Sequence, residues 1–132
     1  MLPGLNGVSE MVVAEEDLVS RLGGVPIHVL STPRLVQLLE AAAVEAIKEY
    51  LHDNQVSLGI RVNIRHLAAT PLGMKVTAHA LLTSVEKNRL LFIVNAHDQK
   101  EKVAEGEHER VLVPMDRFLQ KLEEKKIGKS EK

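Results

Sequence analysis

The sequence predicts an α+β domain in which a curved antiparallel sheet packs against one long helix. Three observations predict it: a strand-like segment at Val8–Leu18, an apolar helical pattern from Pro33 to about His52, and strand-like segments from Val56 to Val113. Strands gathered around a single helix are typical of the α+β class. A chain of 132 residues is long enough for one domain, so we expect a single domain over residues 1–132.

The long helix is predicted from its start signal and its periodicity. Ser31-Thr32-Pro33 places a hydroxyl before a proline, and proline favours the first helical position, which makes Thr32 the expected N-cap. Polar residues recur on one side of the helical projection: Arg34, Gln37, Glu45, Lys48, Glu49 and His52. The remaining apolar arc is wide, so we expect other structure to wrap around this helix.

Four strands are predicted after the helix. In the first of them an alternating set shares the face expected to point inward: Ile60, Val62, Ile64, His66 and Ala68. The next strand starts at Met74 and alternates in the same way, Leu90–His97 is almost continuously apolar, and Lys102–Val113 follows. Continuous apolar character suits a central strand, whereas alternation suits a sheet with one buried face.

The end of the chain is expected to form a short helix. Pro114 opens it, and the pattern predicts an end near Glu124. The remaining tail, Lys125–Lys132, is charged and is expected to fray.

Composition excludes several classes of function. The chain has no cysteine, which removes disulfides, thiolate metal sites and cysteine nucleophiles and fits a cytoplasmic protein. A net charge of -1 and 2% aromatic residues argue against nucleic acid as a partner. No apolar run is long enough to span a bilayer, and Met1–Glu10 lacks the pattern of a signal peptide.

Three residues form a candidate catalytic set. Thr32, Glu40 and His66 offer a hydroxyl, a carboxylate and an imidazole, which are sufficient for acyl transfer or hydrolysis. Each also has a structural interpretation: Thr32 as a helix cap, Glu40 at an exposed edge, and His66 as a hydrogen-bonded core residue. Eight residues of helix rise about 12 Å, so Thr32 and Glu40 of one chain cannot bond directly. Either the substrate stretches between them, or a second subunit supplies one of them.

Other polar residues are weaker candidates. Arg110 and His108 share a strand face with small and apolar residues, where Arg110 would contact an anion or pair with a buried acid such as Glu40. His97 and Asp98 supply only two possible metal ligands, so no metal site is expected. No phosphate-binding loop, dinucleotide fingerprint or nucleophile elbow is present.

The chain resembles the hotdog-fold thioesterases, and within them the group typified by fluoroacetyl-CoA thioesterase. The resemblance runs from about Thr32 to Val113 and is strongest in four local motifs: Ser57-Leu58-Gly59, His66-Leu67-Ala68-Ala69-Thr70-Pro71, Ala96-His97-Asp98 and Gly106-Glu107-His108-Glu109-Arg110. It implies a hotdog fold, hydrolysis of acyl-CoA thioesters without a cofactor, and a homodimer or higher oligomer with sites at the subunit interface.

The resemblance also implies roles for particular residues. Thr32, Glu40 and His66 match the catalytic threonine, glutamate and histidine, while Gly59 lies near the acyl carbonyl and Arg110 lies by the pocket. The chain departs from the fluoroacetyl enzyme in two places: Asp17–Leu30 contains no aromatic residue, and Pro33 follows the threonine where that enzyme has glycine. Two other functions fit the same pattern, a hotdog hydratase or dehydratase acting on acyl thioesters and a non-catalytic acyl-CoA-binding module.

Overall fold

The computed structural model describes residues 1–130, which form one antiparallel sheet and three α-helices. The elements in chain order are β1 (Asn6–Val12), α1 (Ser20–Gly23), α2 (Thr32–Ile47), β2 (Gln55–His66), β3 (Lys75–Glu86), β4 (Arg89–Asp98), β5 (Lys102–Pro114) and α3 (Met115–Ser130). The five strands are ordered β1-β3-β4-β5-β2. This arrangement confirms the predicted α+β class and the sheet packed on one helix.

The core lies between α2 and the inward face of the sheet. The helix buries seven apolar residues: Leu35, Leu38, Leu39, Ala42, Ala43, Ala46 and Ile47. The alternating residues of β3 and β4 meet them: Val76, Ala78, Ala80, Leu82, Leu90, Phe92, Val94 and Ala96. Each buried leucine or phenylalanine contributes about 1.5–3 kcal/mol of transfer free energy, so this layer fixes where α2 lies on the sheet.

Gly7 sets the distance between β1 and α2. A Cβ atom at this position would fall far inside van der Waals contact with the backbones of Ala42 and Ala46. The two alanines and the glycine therefore let the helix backbone lie almost directly on the strand.

Gly7→Ala is expected to lower the free energy of unfolding by about 1–3 kcal/mol, because the added methyl group meets backbone atoms that cannot rotate away. Urea unfolding measures the change. Gly23→Ala is the matched control, since a Cβ there meets nothing within 4 Å. Equal stability of the two variants would contradict the close approach of β1 and α2.

Two predicted boundaries were wrong. The first strand ends at Val12, and Glu15–Asp17 forms a 3-10 turn instead of continuing the strand to Leu18. Asp17 stabilises this turn by accepting a hydrogen bond from the Ala14 amide. The last helix runs to Ser130 and not to Glu124. The expected fraying of Lys125–Lys132 stays a prediction. Glu131 and Lys132 lie outside the described residues.

Strand β2 forms one edge of the sheet. It pairs with β5 on one side, and the register shifts by one residue between Gly59 and Arg61. Ile60 lies in this bulge and is 47% exposed, so the prediction that it shares the inward face with Val62 and Ile64 was wrong. Val62 is itself 38% exposed. A long edge strand with exposed apolar side chains is prone to pair with another chain.

Within residues 1–130, no helix is both long enough and apolar enough to cross a bilayer.

Candidate active site

Ser31, and not Thr32, is the N-cap of α2. Ser31 has extended backbone angles, and its hydroxyl accepts a hydrogen bond from the Arg34 amide at 3.3 Å. Thr32 is already the first helical residue. The expected capping role of Thr32 was therefore wrong, and its hydroxyl is available for another partner.

That partner is His66. The Thr32 hydroxyl oxygen lies 2.8 Å from His66 Nδ1, which brings together two members of the predicted catalytic set. The other ring nitrogen, Nε2, is buried and has no hydrogen-bond partner among the described residues. Buried polar atoms are almost always satisfied, so Nε2 is the side of the ring that is open to a further hydrogen-bond partner.

A small cavity adjoins this pair. It is lined by eight residues: Val19, Val29, Leu30, Thr32, His66, Leu67, Ala68 and Ala69. Aliphatic side chains therefore surround the hydroxyl and the imidazole at the N-terminal end of α2. The free amide groups and positive dipole end of a helix N-terminus favour a partly negative oxygen at such a place.

Glu40 lies in a second cluster with Arg110. The nearest oxygen of its carboxylate is 3.5 Å from Arg110 Nη1, and its side chain is 36% exposed. Arg110 is almost completely buried, at 7% exposure. The two alternatives raised by the sequence, a paired carboxylate and an exposed edge, are both partly correct, because Glu40 is paired on one side and open on the other.

Gly59 makes room for this cluster. It lies opposite Arg110 in the β2–β5 ladder, and a Cβ atom there would collide with the Glu40 carboxylate and lie 3.1 Å from His108 Cε1. The lack of a side chain at position 59 is therefore required by the position of Glu40. Of the residues singled out in the sequence, Gly59, Glu40 and Arg110 come together here.

The two clusters are separate within one chain. From Gly59 to His66 the strand advances roughly 20 Å at about 3.3 Å per residue, and Thr32 and Glu40 are separated by about 12 Å along the helix. Thr32 and His66 thus form one group, and Gly59, Glu40 and Arg110 form another.

Two further residues of the second cluster were not assigned a role from the sequence. Ser57 accepts from Arg110 Nε through its hydroxyl and from Nη2 through its carbonyl, both at 3.0 Å. His108 Nε2 lies 3.1 Å from Arg110 Nη1. Two features of the sequence could have identified them. His108 lies two residues before Arg110 on the same strand face, and Ser57 belongs to the Ser57-Leu58-Gly59 motif.

Burial keeps both histidines neutral. It lowers the pKa of His66, and the backbone of Ala68 partly opposes that shift. Nε2 of the same ring has no hydrogen-bond partner among the described residues, Ala68 included. Burial also lowers the pKa of His108, with a backbone contact to Arg61 opposing and the Arg110 charge reinforcing the shift. Burial lowers the pKa of Arg110, and the Glu40 carboxylate opposes this. The site therefore has neutral imidazoles beside a guanidinium that stays charged.

The neutral histidines predict a loss of stability in mild acid. Below about pH 6.5 the unfolded chain protonates its histidines, while His66 and His108 resist protonation in the folded state because their pKa values are lowered. The unfolded state then binds more protons, so the free energy of unfolding should fall as the pH drops from 7.5 to 5.5. Urea unfolding at both values checks this, and a rise in stability on acidification would contradict it.

Arg110→Lys is expected to lower the free energy of unfolding by about 1–3 kcal/mol, because a lysine cannot reach Ser57 and His108 together and leaves buried acceptors unpaired. Denaturant unfolding measures the loss. Arg61→Lys is the matched control, since Arg61 makes exposed ion pairs with Glu107 and Glu109 on the outer face, which are worth at most about 1 kcal/mol. Unchanged stability of Arg110→Lys would count against the cluster.

Comparison with known proteins identifies the relatives of this chain. A family model described as fluoroacetyl-CoA-specific thioesterase matches residues 13–116. The fluoroacetyl-CoA thioesterase of Streptantibioticus cattleyicolor is 40% identical over 98 residues, which cover 74% of this chain and 70% of that protein.

Solved structures agree with the sequence relatives. A structure of a fluoroacetyl-CoA thioesterase superimposes with a TM-score of 0.87 at 35% identity, covering 95% of this chain and 97% of that one. A thioesterase superfamily member from Thermus thermophilus has a TM-score of 0.91 at 27% identity, covering 99% of this chain and 97% of that one. The fold is therefore the hotdog fold, and the chain belongs to the family of fluoroacetyl-CoA-specific thioesterases.

Proposed function

We propose that this protein hydrolyses acyl-CoA thioesters to a free acid and CoA, at a site that two copies of the chain complete together. The observation that carries the proposal is the hydrogen bond between Thr32 and His66 Nδ1, together with the buried Nε2 of the same ring, which has no partner within residues 1–130. The related proteins are thioesterases, and a neutral imidazole beside a hydroxyl and a helix N-terminus is suited to attack on a carbonyl.

The two clusters would act on one thioester. The N-terminus of α2 and the Thr32 hydroxyl would hold the carbonyl oxygen as negative charge develops on it. His66, with its lowered pKa, would take or deliver the proton. Glu40, paired with Arg110 on one side and open on the other, would supply the carboxylate. Gly59, which places no side chain between β2 and this carboxylate, would let the acyl carbonyl approach it.

A second copy would bring the clusters together through β2. This strand is an open edge with exposed Ile60 and Val62. Antiparallel pairing of β2 with its counterpart reverses the chain direction, so His66 of one copy moves toward Gly59 and Glu40 of the other. The roughly 20 Å separation within one chain would thereby be shortened, and the partner's Glu40 would face the unpaired His66 Nε2.

Two chemical routes use these residues. In one, His66 or Glu40 removes a proton from water, which attacks the thioester carbon while the C–S bond breaks and CoA leaves as a thiol. In the other, the Glu40 carboxylate attacks that carbon, CoA leaves, and water then hydrolyses the acyl–Glu40 anhydride. In ¹⁸O-labelled water, label enters Glu40 only when water attacks the Glu40 carbon of this anhydride, so labelled Glu40 after a single turnover identifies the second route.

Release of free thiol from a panel of acyl-CoAs tests the function. The panel includes acetyl-CoA, fluoroacetyl-CoA and longer saturated chains, because Asp17–Leu30 beside the cavity carries exposed Leu22, Val25 and Ile27 and no aromatic residue. Thiol release with turnover supports the proposal. Hydration of enoyl-CoA without thiol release would favour a hydratase, and acyl-CoA binding without any turnover would favour a binding module.

Mixing two inactive variants tests the shared site. Glu40→Gln and His66→Ala chains, unfolded and refolded together, should regain activity well above the sum of the two alone, because a mixed dimer has one site with both native residues. No gain on mixing, with both variants folded and dimeric, would contradict a site shared between copies. Thiol release by the native protein would still stand in that case, so the two proposals fail separately.

A further inference from the structure

His108 is a buried imidazole whose two ring nitrogens both have partners. Its side chain is 1% exposed. Nδ1 lies 2.9 Å from the Arg61 carbonyl oxygen, and Nε2 lies 3.1 Å from Arg110 Nη1. A carbonyl only accepts and a guanidinium only donates, so Nδ1 must carry the proton and Nε2 must be the acceptor. Both contacts require the same neutral tautomer.

The backbone and the core hold the ring in this orientation. Arg61 follows the β2 bulge, and its carbonyl fixes the Nδ1 edge of the ring. Phe92 stacks against the ring with centroids 6.1 Å apart and an angle of 27° between the planes. The acceptor on Nε2 therefore faces Arg110 Nη1 at 3.1 Å, and Glu40 Oε2 lies farther away, at 3.8 Å.

Arg110 is held mainly by neutral acceptors. Nε and Nη2 donate to Ser57 at 3.0 Å, and Nη1 donates to His108 at 3.1 Å, whereas the Glu40 oxygen is 3.5 Å away. A short, two-pronged ion pair would neutralise the Glu40 carboxylate and bury it. Here His108 takes one N–H that such a pair would need.

We propose that His108 is a positioning residue for the thioester hydrolysis proposed above: by accepting a hydrogen bond from Arg110, it holds the guanidinium near Glu40 without a close ion pair. The Glu40 carboxylate then keeps an open side for water or the acyl carbon. The inference rests on the proposed function, but the geometry around His108 can be tested without it.

Protonation of His108 would disrupt this arrangement, because an N–H on Nε2 would face the N–H of Arg110. The charged groups around the ring are Arg110, which opposes protonation, and Glu40 and Glu109, which favour it. Burial outweighs the two acids and keeps the pKa of His108 below its usual value. The acceptor on Nε2 is therefore preserved at neutral pH.

Substituting His108 with glutamine or asparagine tests the contacts of its two ring nitrogens separately. His108→Gln places an acceptor near the Nε2 position and can keep the bond to Arg110. His108→Asn is shorter, so it can keep the bond to Arg61 but cannot reach Arg110. The expected result is that kcat falls about 10- to 100-fold in His108→Asn, the range of one hydrogen bond to a charged group, and much less in His108→Gln. His79→Asn, on the exposed face of β3, controls for loss of an imidazole.

Equal kcat in the Gln and Asn variants, with both folded by circular dichroism, would overturn the proposal. Absence of thiol release by the native protein would instead overturn the proposed function. Nitrogen-15 NMR of the native protein at pH 7 supplies a measurement that needs no variant. A neutral Nδ1–H tautomer at His108 supports the positioning role, and an Nε2–H tautomer or an imidazolium ends it.

Discussion

Glu40→Gln and His66→Ala are each expected to lower kcat for acyl-CoA hydrolysis by about 10²–10⁴-fold, the usual contribution of a general acid or base. Glutamine keeps the size of Glu40 and can still accept from Arg110, but it has neither the charge nor the basicity of a carboxylate. Alanine at position 66 removes the imidazole that bonds to Thr32. Initial rates of thiol release at saturating substrate measure both effects.

Matched variants distinguish chemistry from surface effects. Glu45→Gln lies on the same helix and removes an exposed ion pair with Lys48, and His79→Ala removes an exposed imidazole from β3. Both should hydrolyse acyl-CoA at the native rate. Near-normal turnover in folded Glu40→Gln and folded His66→Ala would refute the site as proposed.

Removing each of the two hydroxyls at the start of α2 should have a different effect, one on stability and the other on turnover. Ser31→Ala removes the cap and is expected to cost about 1 kcal/mol of stability while the folded protein keeps its turnover. Thr32→Ala leaves the cap intact but removes the hydroxyl that holds His66, so turnover should fall at least about tenfold with little change in melting temperature. Thr32→Ser should keep both.

Melting temperature and kcat measured on the same preparations separate these roles. If Thr32→Ala lost stability and kept its turnover, while Ser31→Ala stayed as stable as the native protein, Thr32 would be the cap after all. The catalytic interpretation of Thr32 would then have to be abandoned.

The fold was predictable because its patterns are long and local. The apolar arc of α2 and the alternation in β3 and β4 each repeat over many residues, so single exceptions do not obscure them. The cap was mistaken because Ser31 and Thr32 both carry hydroxyls before Pro33. The choice between them depends on where the backbone leaves the extended region, which is after Ser31, and proline at the second helical position is compatible with that.

At the candidate site the Glu40–Arg110 pair was predictable, but the division of the candidate residues into two groups was not. Arg110 was recognised because a cation on an apolar strand face needs a partner, and Glu40 is that partner. The bulge between Gly59 and Arg61 could not be read from alternation, since one extra residue reverses the inward and outward positions that precede it. The surroundings of His108, which bonds to the Arg61 carbonyl after this bulge, were hidden for the same reason.

Hydrogen exchange of the amides on the open edge of β2 can show whether two copies pair there. Alternate amide groups of an edge strand point away from its only neighbour, so in an isolated chain they would exchange their hydrogens with solvent quickly. If a second copy covers this edge, the same amides should become protected as the protein concentration rises, while those bonded to β5 stay protected throughout. Amide exchange along Gln55–His66 would thus record, residue by residue, how much of the strand the two copies share and in which register they meet.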